Sequence, residues 1–187
     1  NETSPRQPER ESEFNRHPDL GYEEKLEEGF IRFLEHGAPH PLIRWHFHEE
    51  FELHLITSTF GKVFVGDYIG NFQPGQLVMT GPHLPHNWIS TEYPNDAEKV
   101  AIRDKVLQFN PQPLHKAAEL IPELRQVLPF LERAANGIEF YGISSEVENL
   151  MDRIKVSSGL QRMALFTELL AMLSQHQNYR LLSSVQM

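Results

Sequence analysis

RWHFHEEFELHLI, residues 44–56, alternates almost without a break. The even positions carry His46, His48, Glu50, Glu52 and His54. The odd positions carry Trp45, Phe47, Phe51, Leu53 and Leu55, with Glu49 the one exception. Side chains of a strand point alternately to two faces, so residues two apart share a face. The segment therefore reads as a strand with an imidazole-and-carboxylate face and an apolar face. Such a strand is most often half-exposed, its charges in water and its apolar face in the core. The opposite orientation turns the charged face into a hollow and leaves the apolar face for another layer to cover.

The flanking sequence continues the β pattern. GKVFVGDYIGNF holds two short strands around Gly66-Asp67, a hairpin turn. FQPGQLVMTGP is a turn at Pro74-Gly75 and an apolar strand closed by Gly81-Pro82. PHNWIS and KVAIRDKVLQF supply two more strands. Frequent short strands broken by Gly and Pro predict a barrel or sandwich over residues 30–112.

Residues 113–180 read as helical, and residues 113–187 as a helical subdomain and the start of a linker. IPELRQVLPFLERAANG has Pro122 in a first turn and Gly137 just past an end. SSEVENLMDRIKV opens on Ser145-x-x-Glu148, a capping box, and its Val147, Leu150, Met151 and Ile154 form one stripe. A second box, Ser158-x-x-Gln161, opens a helix whose Leu160, Met163, Leu165, Phe166, Leu169, Leu170, Met172 and Leu173 cover more than one stripe. So apolar a helix needs two partners. Deep burial in one domain satisfies this; pairing with a second copy across a dimer satisfies it too, and is the expectation adopted. Strands first and helices after indicate α+β with segregated layers. These helices need an apolar sheet face to cover, which favours turning the charged face of residues 44–56 inward.

Bulk properties bound the function. The chain has 187 residues, a net charge of −9 and no cysteine. A disulfide scaffold and any thiolate metal site are thereby excluded, and a reducing cytoplasm fits. No run approaches the ~18 consecutive apolar residues of a membrane helix, and no signal peptide is visible. The first residue is Asn, so the sequence reads as a fragment. Residues 1–29 hold nine acidic and four basic residues and read as a polar acidic tail. The basic face that grips duplex phosphates is not evident. A Gly-rich phosphate loop, a G-x-S-x-G elbow and a His-Glu-x-x-His helix are all missing from the sequence.

His46, His48 and Glu52 share one strand face, and a second histidine-bearing segment places His86 beside Pro85. Three imidazoles and a carboxylate suit one divalent ion (Zn, Ni, Fe or Mn) with positions open to water or ligand. Arg44, Trp45, Glu50 and Trp88 flank these residues and are the candidates to contact a bound small molecule. His17, His36, His40, His83, His115 and His176 are scattered and read as ordinary polar residues.

The motifs, in their order, resemble a known family. Trp45–Leu53 resembles W-H-x-H-x-x-x-E-L; Phe72–Trp88 resembles F-x-P-G-D-L-x-L-x-G-P-x-x-P-H-x-W, with Gln76 where that pattern has Asp. VLQF at 106–109, IPEL at 121–124 and GIEF at 137–140 follow. Together they look like the cupin-like N-terminal sensor domain of AraC-type transcription regulators, over residues 30–184. The resemblance implies an antiparallel cupin barrel (a double-stranded β-helix) and then a helical dimerisation subdomain. It implies a small-molecule effector, a homodimer through the last helices, and DNA contact only through a C-terminal helix-turn-helix domain. The metal set His46, His48, Glu52 and His86 is carried over from cupins at large, where a barrel brings the Pro-His segment beside the first strand. A sensor rather than an enzyme is the expectation; the alternative is a metal-dependent cupin oxygenase or isomerase.

Overall fold

The computed structural model describes residues 8–10, 29–39, 46–94 and 99–184. The acidic tail, apart from residues 8–10 and 29, lies outside them, as do Arg44 and Trp45. The elements in chain order are β1 (Glu9–Arg10), β2 (Ile31–Ala38), β3 (His46–Phe47), β4 (Phe51–Ile56), β5 (Phe60–Val65), β6 (Tyr68–Phe72), β7 (Leu77–Thr80), β8 (His86–Glu92) and β9 (Val100–Phe109). Then come α1 (Pro111–Leu120), α2 (Leu128–Arg133), β10 (Ile138–Phe140), α3 (Ser144–Lys155), α4 (Gly159–Gln175) and β11 (Tyr179–Leu181).

Two sheets result, ordered β1-β3-β8-β5-β6 and β11-β10-β7-β4-β9-β2. Strand pairs are antiparallel apart from β1 with β3. Among the described residues no strand of one sheet hydrogen-bonds to a strand of the other, so the sheets are not closed into the implied barrel. The chain instead hands over between them at bends. One bend lies at Glu49-Glu50, where the long alternating segment splits into β3 and β4. That is why Glu49 breaks the alternation: it is exposed at the crossing point.

β4 is buried on both faces. Phe51, Leu53 and Leu55 face the helices and share a core with Val147, Leu150, Met151 and Ile154 of α3 and with Leu165, Phe166, Leu169, Leu170 and Leu173 of α4. The Phe109 ring stacks on Phe51 at 5.1 Å and meets Phe166 edge-on at 5.1 Å, tying β4, β9 and α4 together. Each such side chain contributes about 1.5–3 kcal/mol by leaving water. The opposite face of β4 carries Glu52, His54 and Ile56. Ile56 joins Val63, Val65, Phe72, Val78, Leu84 and Trp88 in a second core contributed by both sheets. The inward orientation of the charged face is thus the observed one.

Of the two partners open to α4, its own domain supplies one. Most of its apolar surface is absorbed by its own chain, with Met163 and Met172 partly buried on the same core; Leu160, 90% exposed, and the small Ala164 and Ala171 are left outside. A second copy is not required to cover this helix. The capping boxes also differ. α3 starts at Ser144 with Ile143 as its cap, so Ser145 falls inside the first turn, and Ser158 caps α4 without a side-chain hydrogen bond. β10 and β11, from the helical half of the sequence, extend the larger sheet beyond β7.

Candidate functional site

His46 of β3 lies directly opposite His86 of β8 in the smaller sheet. His48 sits at the bend two residues on, and Glu52 follows on the inner face of β4 in the other sheet. The handover at Glu49-Glu50 therefore gathers residues of both sheets at one place. The ring centroids of His46 and His86 are 4.5 Å apart, those of His48 and His86 4.8 Å, and those of His46 and His48 5.7 Å. One nitrogen from each ring lies within 4.8 Å of the others. His48 and His86 are buried, and His46 is half-buried. Glu52 bridges two members, with Oε1 at 3.4 Å from His48 Nε2 and Oε2 at 3.2 Å from His86 Nε2.

The hydrogen bonds fix which nitrogen carries the proton. His86 Nδ1 donates to Leu84 O at 2.7 Å, and His48 Nδ1 donates to Glu50 O at 3.1 Å. A carbonyl can only accept, so in each neutral ring Nε2 holds a lone pair. That lone pair points toward a carboxylate oxygen. Two electron-rich atoms this close repel unless a cation lies between them or the ring takes a second proton. His86 Nε2 is buried and makes no hydrogen bond. A backbone carbonyl holding one ring nitrogen while the other faces the site is the arrangement metal-ligating imidazoles use. The residues therefore fit a divalent ion held by His46, His48 and His86, with Glu52 beside it. When bound, such an ion supplies a Lewis acid and a fixed point for an anionic or hydroxyl group.

Burial alone would raise the Glu52 carboxyl. The imidazoles of His86 and His48 beside it outweigh that and hold the group well below the usual carboxylate range. Gln108, opposite Glu52 in the β4–β9 ladder, donates from Nε2 to Glu52 Oε1 at 3.0 Å. Thr80, opposite Glu52 on the other side, is fully buried, and its hydroxyl has no hydrogen-bond partner. Gln108 belongs to the VLQF motif, but the sequence reading left it without a role. Its signal is parity, a polar residue at the inward position of a strand otherwise filled by Val106.

A second buried network lies further along the same interior. Asp104, with no exposed surface, accepts from Arg103 Nε at 2.9 Å and pairs with His36 Nδ1 at 2.7 Å. His54 Nε2 stands 3.3 Å from Oδ2, the oxygen that Arg103 also holds. Burial would raise the Asp104 carboxyl, but the His54 charge and hydrogen bonds from His36 and His54 hold it far below its ordinary value. His54 stacks flat on Trp88 at 3.8 Å, and Trp88 Nε1 donates to Gln76 Oε1 at 3.0 Å. Gln76 thus has a definite partner, and His36 is not the ordinary polar residue it reads as. Trp88 is 3% exposed in this packing. Glu50 stands at the bend with its carboxylate 3.7 Å from His48 Nδ1; its backbone carbonyl is what holds that ring. Arg44 and Trp45 fall outside the described residues.

No protein-family model matches the sequence, and no match to a curated protein was found. Among solved structures, the chain is similar to ToxT from Vibrio cholerae O395, bound to (E)-4-(8-methylnaphthalen-1-yl)but-3-enoic acid, with a TM-score of 0.45 and 4% identity over 74% of this chain and 54% of that one. It is similar to the AraC-like transcriptional activator CuxR, with a TM-score of 0.42 and 11% identity over 77% and 47% of the two chains. A cupin 2 conserved barrel domain protein from Rhodopseudomonas palustris matches with a TM-score of 0.27 and 13% identity over 51% and 65%. The chain spans about half the length of the ToxT and CuxR chains. At these scores the likeness is one of outline, and the functional reading rests on the residues themselves. No helix of the described residues is long and apolar enough to cross a membrane.

Proposed function

We propose that this chain is the effector-sensing domain of an AraC-type transcription regulator, with a divalent metal ion held by His46, His48 and His86 beside Glu52. The observation that carries this is the orientation of β4, with Glu52 on the inner face next to buried imidazoles and Phe51, Leu53 and Leu55 under the helices. A polar group enclosed in this way is suited to selecting a small molecule, because a ligand that enters must replace water with matched donors and acceptors. An effector there would bias the geometry of a dimer, and a separate helix-turn-helix domain would read the operator half-sites. In this reading residues 30–112 are the sensing layer and residues 113–187 the helical subdomain, with a homodimer formed through the last helices. Leu160, Ala164 and Ala171 on the exposed side of α4 are the surface for it.

The test is a promoter–reporter assay on the parent reading frame. Inducible expression is expected from the unaltered protein and lost in His46→Ala and His86→Ala variants that accumulate normally. A parent frame without a DNA-binding domain rejects the reading.

The alternative is a metal-dependent cupin oxygenase or isomerase. It is favoured by the same lone pair of His86, since a site with open metal positions also suits chemistry. Turnover of candidate substrates by the metal-loaded protein, read as oxygen uptake for an oxygenase and as product formation for an isomerase, separates the two.

A further inference from the structure

We propose that Leu84 couples the position of the His86 ring to the segment Leu182–Ser184, so that an occupied histidine group tightens that segment and an anchored segment strengthens the group. This rests on reading His46, His48 and His86 as a metal group. Leu84 has no exposed surface, and its carbonyl is the acceptor that fixes His86 Nδ1. Its side chain is seated over two glycines that both have positive φ, Gly66 at +56° and Gly137 at +70°. A Cβ at Gly66 would come within 3.2 Å of Leu84 Cδ1 and 2.1 Å of Ser183 Oγ. A Cβ at Gly137 would meet Val65 Cγ1 at 2.7 Å, Leu84 Cδ2 at 3.5 Å and Leu182 Cβ at 3.8 Å. The positive φ at both positions, and the close approach of Ser183 to Gly66 and of Val65 to Gly137, call for glycine at the two places where these segments pack beside Leu84.

Each link from there is a short contact. Gly66 N donates to Pro85 O at 2.8 Å, pinning the residue before His86 to the β5–β6 turn. In that turn the Asp67 carboxylate accepts from Ser183 Oγ at 2.9 Å, from Ser184 N at 2.8 Å and from Ser184 Oγ. Ser183 N donates to Asn136 O at 2.8 Å, Asn136 Nδ2 returns a bond to Ser183 O at 2.9 Å, and Leu182 N donates to Gly137 O at 3.0 Å. Val65, next to Gly66, is the cross-strand partner of His86 itself. The ring and the clasp on Asp67 are thus joined by packed backbone rather than by long flexible side chains. A shift of the His86 ring moves the Leu84 carbonyl and, with it, the surface on which Leu182 rests.

The test is backbone amide exchange at Leu182 and Ser184, with and without Zn²⁺ as the probe, together with the Zn²⁺ affinity of an Asp67→Ala variant. Zn²⁺ is expected to slow exchange at both amides by about fivefold or more, and Asp67→Ala to weaken Zn²⁺ binding by a comparable factor, because linkage is reciprocal. Zn²⁺ binding that leaves both quantities unchanged, or changes only one, overturns the coupling. If Zn²⁺ does not bind, the metal reading fails, and His86→Ala decides the coupling: faster exchange at Ser184 upholds it, and unchanged exchange overturns it.

Discussion

Glu52 Oε2 stands 3.2 Å from His86 Nε2, while the proton of that ring is committed to its other nitrogen, which donates to Leu84 O at 2.7 Å. A neutral imidazole and a carboxylate placed this way present two lone pairs to each other. The arrangement is at rest only when a positive charge enters it. Protein purified without chelator is therefore expected to take up about one equivalent of Zn²⁺ or Ni²⁺ by calorimetry. At about one hundred times Kd, the metal should raise unfolding free energy by about 2.7 kcal/mol. His86→Ala should abolish both effects. Wild-type protein that stays metal-free and fully folded in excess Zn²⁺ would refute the assignment.

Gln108 holds one oxygen of Glu52 and leaves the other toward His86. Gln108→Leu removes that donor with little change in volume. Metal affinity should fall by about 10- to 100-fold, the usual cost of losing a group that orients a ligand. Circular dichroism should show the same secondary structure, so that a titration reads the site and not the fold.

Asp104 neutralises Arg103, which is itself only 4% exposed. Asp104→Asn leaves a buried guanidinium without its counter-charge. Such a break is expected to cost about 3–5 kcal/mol in urea unfolding. A cost under ~1 kcal/mol would mean that water reaches Arg103.

His36 makes the same network pH-dependent. Burial alone would push its imidazole down, but the hydrogen bond to Asp104 and the carboxylate's charge raise it above the ordinary value. A group raised in the folded state contributes fully below its unfolded value, about 6.5. Its contribution disappears as pH rises through the folded value. The stability difference between wild type and His36→Gln should therefore be largest in mildly acidic buffer and shrink toward alkaline pH. A difference that grows with pH contradicts the pairing.

Leu160 projects into solvent at the start of α4. Leu160→Glu should change monomer stability by no more than about 0.5 kcal/mol, as for surface positions without buried partners. Light scattering tests the proposed dimer with the same variant: a wild-type dimer that becomes a monomer supports pairing through α4. A variant with unchanged mass places any interface elsewhere.

Much of this fold follows from local pattern. The Gly66-Asp67 hairpin and the α3 stripe are short-range properties, and the structure has both; the alternation from His46 to Leu55 is local too, but the structure breaks it at Glu49-Glu50 into β3 and β4. Period-two alternation put His46, His48 and Glu52 on one strand face; the structure places them in β3, at the bend and in β4, and it is the handover between the sheets that brings all three to His86. Alternation is symmetrical, however: it says that two faces differ, not which one is inside. That was decided by α3 and α4, whose apolar surfaces have to cover Phe51, Leu53 and Leu55. The opposition of His46 and His86 is a register across forty residues, and the union of Asp104, Arg103, His36 and His54 needs three strands to meet. Local spacing carries no information about such pairings, because they exist only once the strands have paired and water has left the space between the sheets.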